Sequence, residues 1–140
     1  MTYAQATSNL TKARQDFEKA QTDYSNAYNA WLNEYNIWLE WKRQYDVHTT
    51  TGYTSGMNSM RVLMDTQQIT VDSYKNAEVA AKSKLDAAEA KVQQAENDFN
   101  TAQTAKNEAD ALKAFATTNP AAYAQMQIEK AANAAKQLAG

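Results

Sequence analysis

In the first third of the chain a large side chain returns every seven residues: Tyr3, Leu10, Phe17, Tyr24, Trp31, Trp38 and Tyr45. Three residues after each comes a second series: Ala6, Ala13, Ala20, Ala27, Glu34, Trp41 and His48. A later stretch keeps the same beat. It carries Met57, Met64, Val71, Glu78, Leu85, Val92 and Phe99 at position a, and Met60, Gln67, Tyr74, Ala81, Ala88, Ala95 and Ala102 at position d. A heptad of this kind places a and d on one stripe of an α-helix, and that stripe must bury itself against another helix. The chain is thereby held to long helices joined along a narrow seam.

The positions of the helix breakers agree. Gly52 and Gly56 fall in one short stretch, and Pro120 is the only proline. The expectation is a first helix over about 3–47, a connection through 49–56, and a second helix over about 57–117. Three consecutive threonines and two glycines make that connection poor helix interior. Asn119 before Pro120 is a stop-and-restart signal, since asparagine caps a helix and proline suits its first position. A shorter C-terminal helix over about 120–138 follows.

The two seams fit each other as one antiparallel hairpin. A turn centred between Gly52 and Tyr53 sets Tyr45 against Met60, Trp41 against Met64, Tyr24 against Ala81, Phe17 against Ala88, and Tyr3 against Ala102. Each layer then joins an a position to a d position. Away from the turn, each layer sets one large residue against one alanine, which lets layers interdigitate without voids. Parallel self-pairing would set alanine on alanine. The predicted fold is therefore all-α: a long, Ala-rich antiparallel hairpin in a single elongated domain. Beyond Ala102 the stripe shifts to Ala105, Ala109, Leu112 and Ala116. The C-terminal helix, with Ala124, Ile128, Ala131, Ala135 and Leu138, is expected to fold back there, with Ile128 near Ala109 and Leu138 near Phe99.

Composition narrows the function classes. Leu, Ile, Val and Phe number only 18 of 140 residues, while alanine alone supplies 27. That is thin for a globular core, yet the net charge of −2 is too small for a disordered chain. Without cysteine there is no disulfide framework or thiolate metal site. No apolar run is long enough to span a membrane, and no secretory signal is visible at the N-terminus. Lys and Arg are scattered, which gives no support for nucleic-acid binding. His48 is the only histidine, and Gly52–Gly56 lacks the spacing of a phosphate-cradling loop. No catalytic constellation, metal-ligand set or cofactor motif is present, so the chain reads as a non-enzyme.

Glu34 and Glu78 interrupt the seam. They are about 10 Å apart along the axis, too far to share a metal. They are expected to set the register, with their carboxylates reaching outward to solvent.

The unusual region is the turn end. Trp31, Trp38, Trp41 and Tyr45 occupy the seam. Tyr28, Leu32, Tyr35 and Leu39 make a second stripe, and across the turn Val62, Leu63 and Ile69 also fall off the seam. A two-helix arm cannot bury all of these, and Trp and Tyr are favoured interface anchors. These eleven residues are the candidate protein-interaction site, serving self-association or other subunits of an assembly. Lys42 and Arg43 are the only basic residues between Lys19 and Arg61, which disfavours a membrane-surface helix. The expected role is a structural or assembly subunit of a larger particle, with a virion or phage particle as the leading setting and the cytoplasm otherwise. The alternative is an assembly chaperone or scaffold that holds a client through the same patch.

Overall fold

A computed structural model of the chain describes residues 1–139. Among the described residues there are three helices and no strand: α1 (Tyr3–Thr51), α2 (Thr54–Thr118) and α3 (Pro120–Ala139). α1 and α2 pack against one another, and α3 contacts α2. Packing divides into two units, Met1–Asn9 with Ala95–Gly140 and Leu10–Gln94.

α1 begins with a reciprocal cap. The Thr2 hydroxyl accepts the Gln5 N–H at 3.1 Å, and the Gln5 side chain accepts the Thr2 N–H at 2.9 Å. This is the S/T-x-x-E/Q box that satisfies two donors with no intrahelical partner.

The connection between α1 and α2 is shorter than the sequence suggests: only Gly52 and Tyr53 separate the helices. The threonines stay helical because their hydroxyls bond backward. Thr49, Thr50 and Thr51 donate to the carbonyls of Tyr45, Asp46 and Val47 at 2.9, 2.9 and 3.1 Å. Gly52 then takes φ +73°, a left-handed conformation that costs glycine little. The Tyr53 N–H reaches back to His48 O at 2.9 Å, and the Gly52 N–H to Thr49 O at 3.2 Å. These two bonds define a Schellman stop. Its usual side-chain contact is present as the His48 and Tyr53 rings, edge-on with centroids 5.2 Å apart. Gly56 lies beneath that pair. A Cβ there would sit 2.5 Å from Tyr53 Cδ1 and 2.7 Å from His48 Cγ.

Within residues 10–94, the contacts between α1 and α2 fall within about one helical turn of the expected pairing. Arg61 reaches Tyr45, Lys75 lies over Trp31, and both Glu78 and Lys82 meet Tyr24. The material of the seam changes along its length: no alanine occurs from Trp31 to Asn76. Within the other unit, Ala6 and Ala102 are buried, and Tyr3 packs on Phe99 with centroids 5.6 Å apart.

α3 starts where the sequence places it. Asn119 O accepts the Tyr123 N–H at 2.9 Å, the first bond of the new helix. Phe115 and Tyr123 meet edge-on across the break at 6.4 Å. The fold-back of α3 on α2 is present, but the contact is shallow. α3 has no buried residue, Ile128 is 62 % exposed and Leu138 is 90 % exposed. Leu138 therefore makes no packed contact beside Phe99. The reason is compositional: most of the apolar stripe of α3 is alanine, whose burial stabilises little compared with leucine or isoleucine.

Candidate protein-interaction surface

Five aromatic residues of α1 form one continuous ladder. Centroid separations are 6.4 Å for Tyr24–Tyr28, 5.8 Å for Tyr28–Trp31, 5.3 Å for Trp31–Tyr35 and 6.1 Å for Tyr35–Trp38. The last two pairs are stacked, with interplanar angles of 14° and 11°. Steps of four and three residues put all five rings on one side of the helix, and distances of this size are those of favourable ring contacts.

The ladder stands on a buried carboxylate. Glu78 is 6 % exposed and does not reach outward to solvent. Its Oε1 accepts the Tyr24 hydroxyl at 3.0 Å, and its Oε2 lies 3.0 Å from Lys75 Nζ. Lys75 Nζ in turn sits 4.7 Å above the Trp31 ring, within cation–π range. The outward expectation fails because a partner was available: one turn of α2 separates Glu78 from the level of Tyr24, whose hydroxyl replaces water. The Lys75 ammonium, and then the Tyr24 hydroxyl, hold the Glu78 carboxyl below the usual carboxylate range. The Glu78 carboxylate, through that hydrogen bond first and burial second, pushes the Tyr24 phenol up. A second tie lies nearer the turn, where Gln67 Nε2 donates to Glu34 Oε2 at 2.7 Å and to Glu34 O at 2.9 Å. No buried side-chain N or O atom among the described residues lacks a partner.

The structure brings together only part of the eleven-residue patch. Tyr28, Trp31, Tyr35 and Trp38 are in the ladder, none of them buried. Leu32 and Leu39 lie beside it on the same helix, and Tyr28 and Leu39 remain 41 % and 40 % exposed. Trp41 and Tyr45 continue the seam towards the turn, where Arg61 Nη2 donates to the Tyr45 hydroxyl at 3.2 Å. Val62 and Ile69 lie elsewhere. They sit seven residues apart on the stripe of α2 turned away from its seam, 65 % and 73 % exposed. Leu63 is about 200° round α2 from Arg61, on the flank opposite the ladder. Sequence reasoning missed Lys75 and Glu78 as supports, and Tyr24 as the first rung. The signal for them was the pairing of Tyr24 with the level one turn beyond Glu78.

Charges bound the surface at its turn end. Arg43 forks onto Glu40, with Nε–Oε2 3.0 Å and Nη2–Oε1 2.7 Å. That contact, with a bond from Gln44, brings the Glu40 carboxyl down to about 2. Lys42 pairs with Asp46 at 3.2 Å. Elsewhere, a groove of about 730 Å³ between α1 and α2 is floored by alanines such as Ala20 and Ala81 and edged by Asp16, Asp23 and Lys84. Among the described residues, no group of three or more His, Cys, Asp and Glu could hold a metal ion, and no helix is long and apolar enough to cross a membrane. Comparison with protein-family models, curated proteins and solved structures finds no match for this chain.

Proposed function

We propose that this chain is a non-enzymatic structural or assembly subunit, and that it joins its neighbours through the aromatic face of α1. One observation carries the proposal: the ladder from Tyr24 to Trp38, with Leu32 and Leu39 beside it, is contiguous and nowhere fully buried. Tyr28 and Leu39 keep 41 % and 40 % of their surface exposed, and the other rungs and Leu32 keep part of theirs. Contiguous apolar surface of this kind on a monomer is often functional. The rings are also held in place by their own stacking and by Lys75, so little ordering entropy remains to be lost on docking. A virion or phage particle, or another multi-subunit particle, is the setting this role fits.

The test is the composition of the native assembly. A structural subunit stays in the finished particle at a fixed ratio to its neighbours, and Trp38→Ala or Leu39→Ala lowers its incorporation. A chain that binds assembly intermediates but is absent from the finished particle is an assembly chaperone using the same face. Incorporation unaffected by either substitution refutes the proposal.

A further inference from the structure

Resting on that assembly role, we propose that the occupant of the aromatic face is α1 of a second copy of this chain, lying antiparallel across a two-fold axis between Asn33 and Glu34. α1 carries two heptad seams. Trp31 and Trp38 belong to the one used by α2. Tyr28, Leu32, Tyr35 and Leu39 are spaced by four, three and four residues, the spacing of d, a, d and a. This second seam lies beside the one used by α2; its ends, Tyr28 and Leu39, are 41 % and 40 % exposed, and Leu32 and Tyr35 between them are partly exposed.

The second seam is self-complementary in one direction only. Antiparallel pairing sets d against a, so Tyr28 meets Leu39 of the second copy and Leu32 meets its Tyr35. Each layer joins a ring to a branched aliphatic side chain, and each contact occurs twice, as a two-fold interface requires. Parallel pairing sets ring on ring and leucine on leucine, with uneven layer thickness.

Charge points to the same occupant. From Tyr24 to Leu39 the only charged residue is Glu34, and Gln67 already holds its carboxylate. Such depletion of charge marks the core of protein interfaces. It offers nothing to a strongly charged partner and lets two identical surfaces meet without repulsion. The Lys42–Asp46 pair at the end of the seam falls opposite Ser25 and Gln21 of the other copy, so no like charges meet there. A contact over about 20 residues is ~30 Å long, and one helix with its side chains is ~10–12 Å wide. That gives a footprint of about 300–360 Å² per copy and ~600–700 Å² in total, the range of weak, transient contacts. The dimer is accordingly concentration-dependent.

The chain has no cysteine, so single cysteines report the pairing directly. Tyr28→Cys and Leu39→Cys proteins are mixed and oxidised, and the unmodified chain is followed by sedimentation equilibrium. The expected result is a dimer in which the mixed disulfide, joining position 28 of one copy to position 39 of the other, dominates both self-disulfides. Leu32→Glu should weaken association at least about tenfold while circular dichroism shows unchanged helicity. Dominant self-disulfides mean parallel pairing and overturn the arrangement. A chain that remains monomeric up to ~200 µM, with no mixed disulfide, overturns the second copy as occupant. The assembly role fails separately, if Leu32→Glu enters the native particle at the unmodified ratio.

Discussion

Gly56→Ala should destabilise the protein, although alanine is the better helix former. Gly56 lies in the first turn of α2, where the exchange alone should stabilise by ~0.5–1 kcal/mol. The new Cβ, however, would lie 2.5 Å from Tyr53 Cδ1, and 2.7 and 2.8 Å from two atoms of the His48 ring. Carbon atoms sit comfortably at about 3.5–4.0 Å, so both rings must retreat by roughly 1 Å. Overpacking of this kind costs about 1–3 kcal/mol, and the edge-on ring contact at the Schellman stop, worth ~0.5–1.5 kcal/mol, is lost with it. The net expectation is a loss of about 1–2 kcal/mol, or ~3–8 °C in Tm for a chain of this length. The decisive comparison is a His48→Ala/Tyr53→Ala background. With both rings gone the clash disappears, and Gly56→Ala should stabilise by ~0.5–1 kcal/mol. Gly52→Ala is the control. Nothing lies within 4 Å of its Cβ, and φ is +73°; its cost of ~1–2 kcal/mol is conformational and should not depend on background. Thermal and urea melts followed by circular dichroism measure all of these. A Gly56→Ala protein more stable than the parent, or one equally destabilised in both backgrounds, refutes the reasoning.

Glu78 and Tyr24 should shape the pH dependence from opposite sides. The carboxyl of Glu78 is depressed, so its contribution is present above the ordinary carboxylate value of 4.5 and is lost as pH falls through its lowered value. The phenol of Tyr24 is raised, so its contribution holds below 10.0 and is lost as pH rises through its raised value. Glu78→Gln should flatten the acid limb of a Tm–pH profile and Tyr24→Phe the alkaline limb; unchanged limbs would count against the buried pair. Ala6 is fully buried, so Ala6→Leu should cost about 1–3 kcal/mol and lower the urea midpoint. Ala122→Leu, on exposed α3, should stay within ~0.5 kcal/mol. Equal effects at the two positions would contradict the burial.

The heptad made the helices and their pairing legible because its period is set by backbone geometry, which tertiary context rarely overrides. The turn was less legible. Propensity ranks threonine as a poor helix interior residue, but the hydroxyls of Thr49, Thr50 and Thr51 bond to the preceding turn and carry α1 onward to Gly52. The fold-back of α3 on α2 was legible, but its shallowness was not, because spacing alone does not weigh side-chain size and alanines at helical spacing have little to bury. For the surface, composition found the aromatics but not their grouping. Tyr28 and Tyr35 belong to a second stripe, and their rings also interleave with Trp31 and Trp38 as rungs of one ladder. Val62 and Ile69 share the composition of the patch but not its face. Glu78 was misread since its partners lie 54 residues away on α1 and three residues back on its own helix.

The two polar ties also govern how the hairpin responds to force. Within residues 10–94, sliding α2 along α1 by one heptad, ~10 Å, would exchange alanine for alanine in much of the Ala-rich seam and meet little opposition there. The same slide must draw Glu78 from Tyr24 and Glu34 from Gln67 together, stranding polar groups against apolar layers. Peeling the helices apart breaks the ties one after the other. The hairpin is thus a strut that is stiff in shear and softer in peeling. A hairpin built this way resists sliding of its helices better than a load pulling them apart.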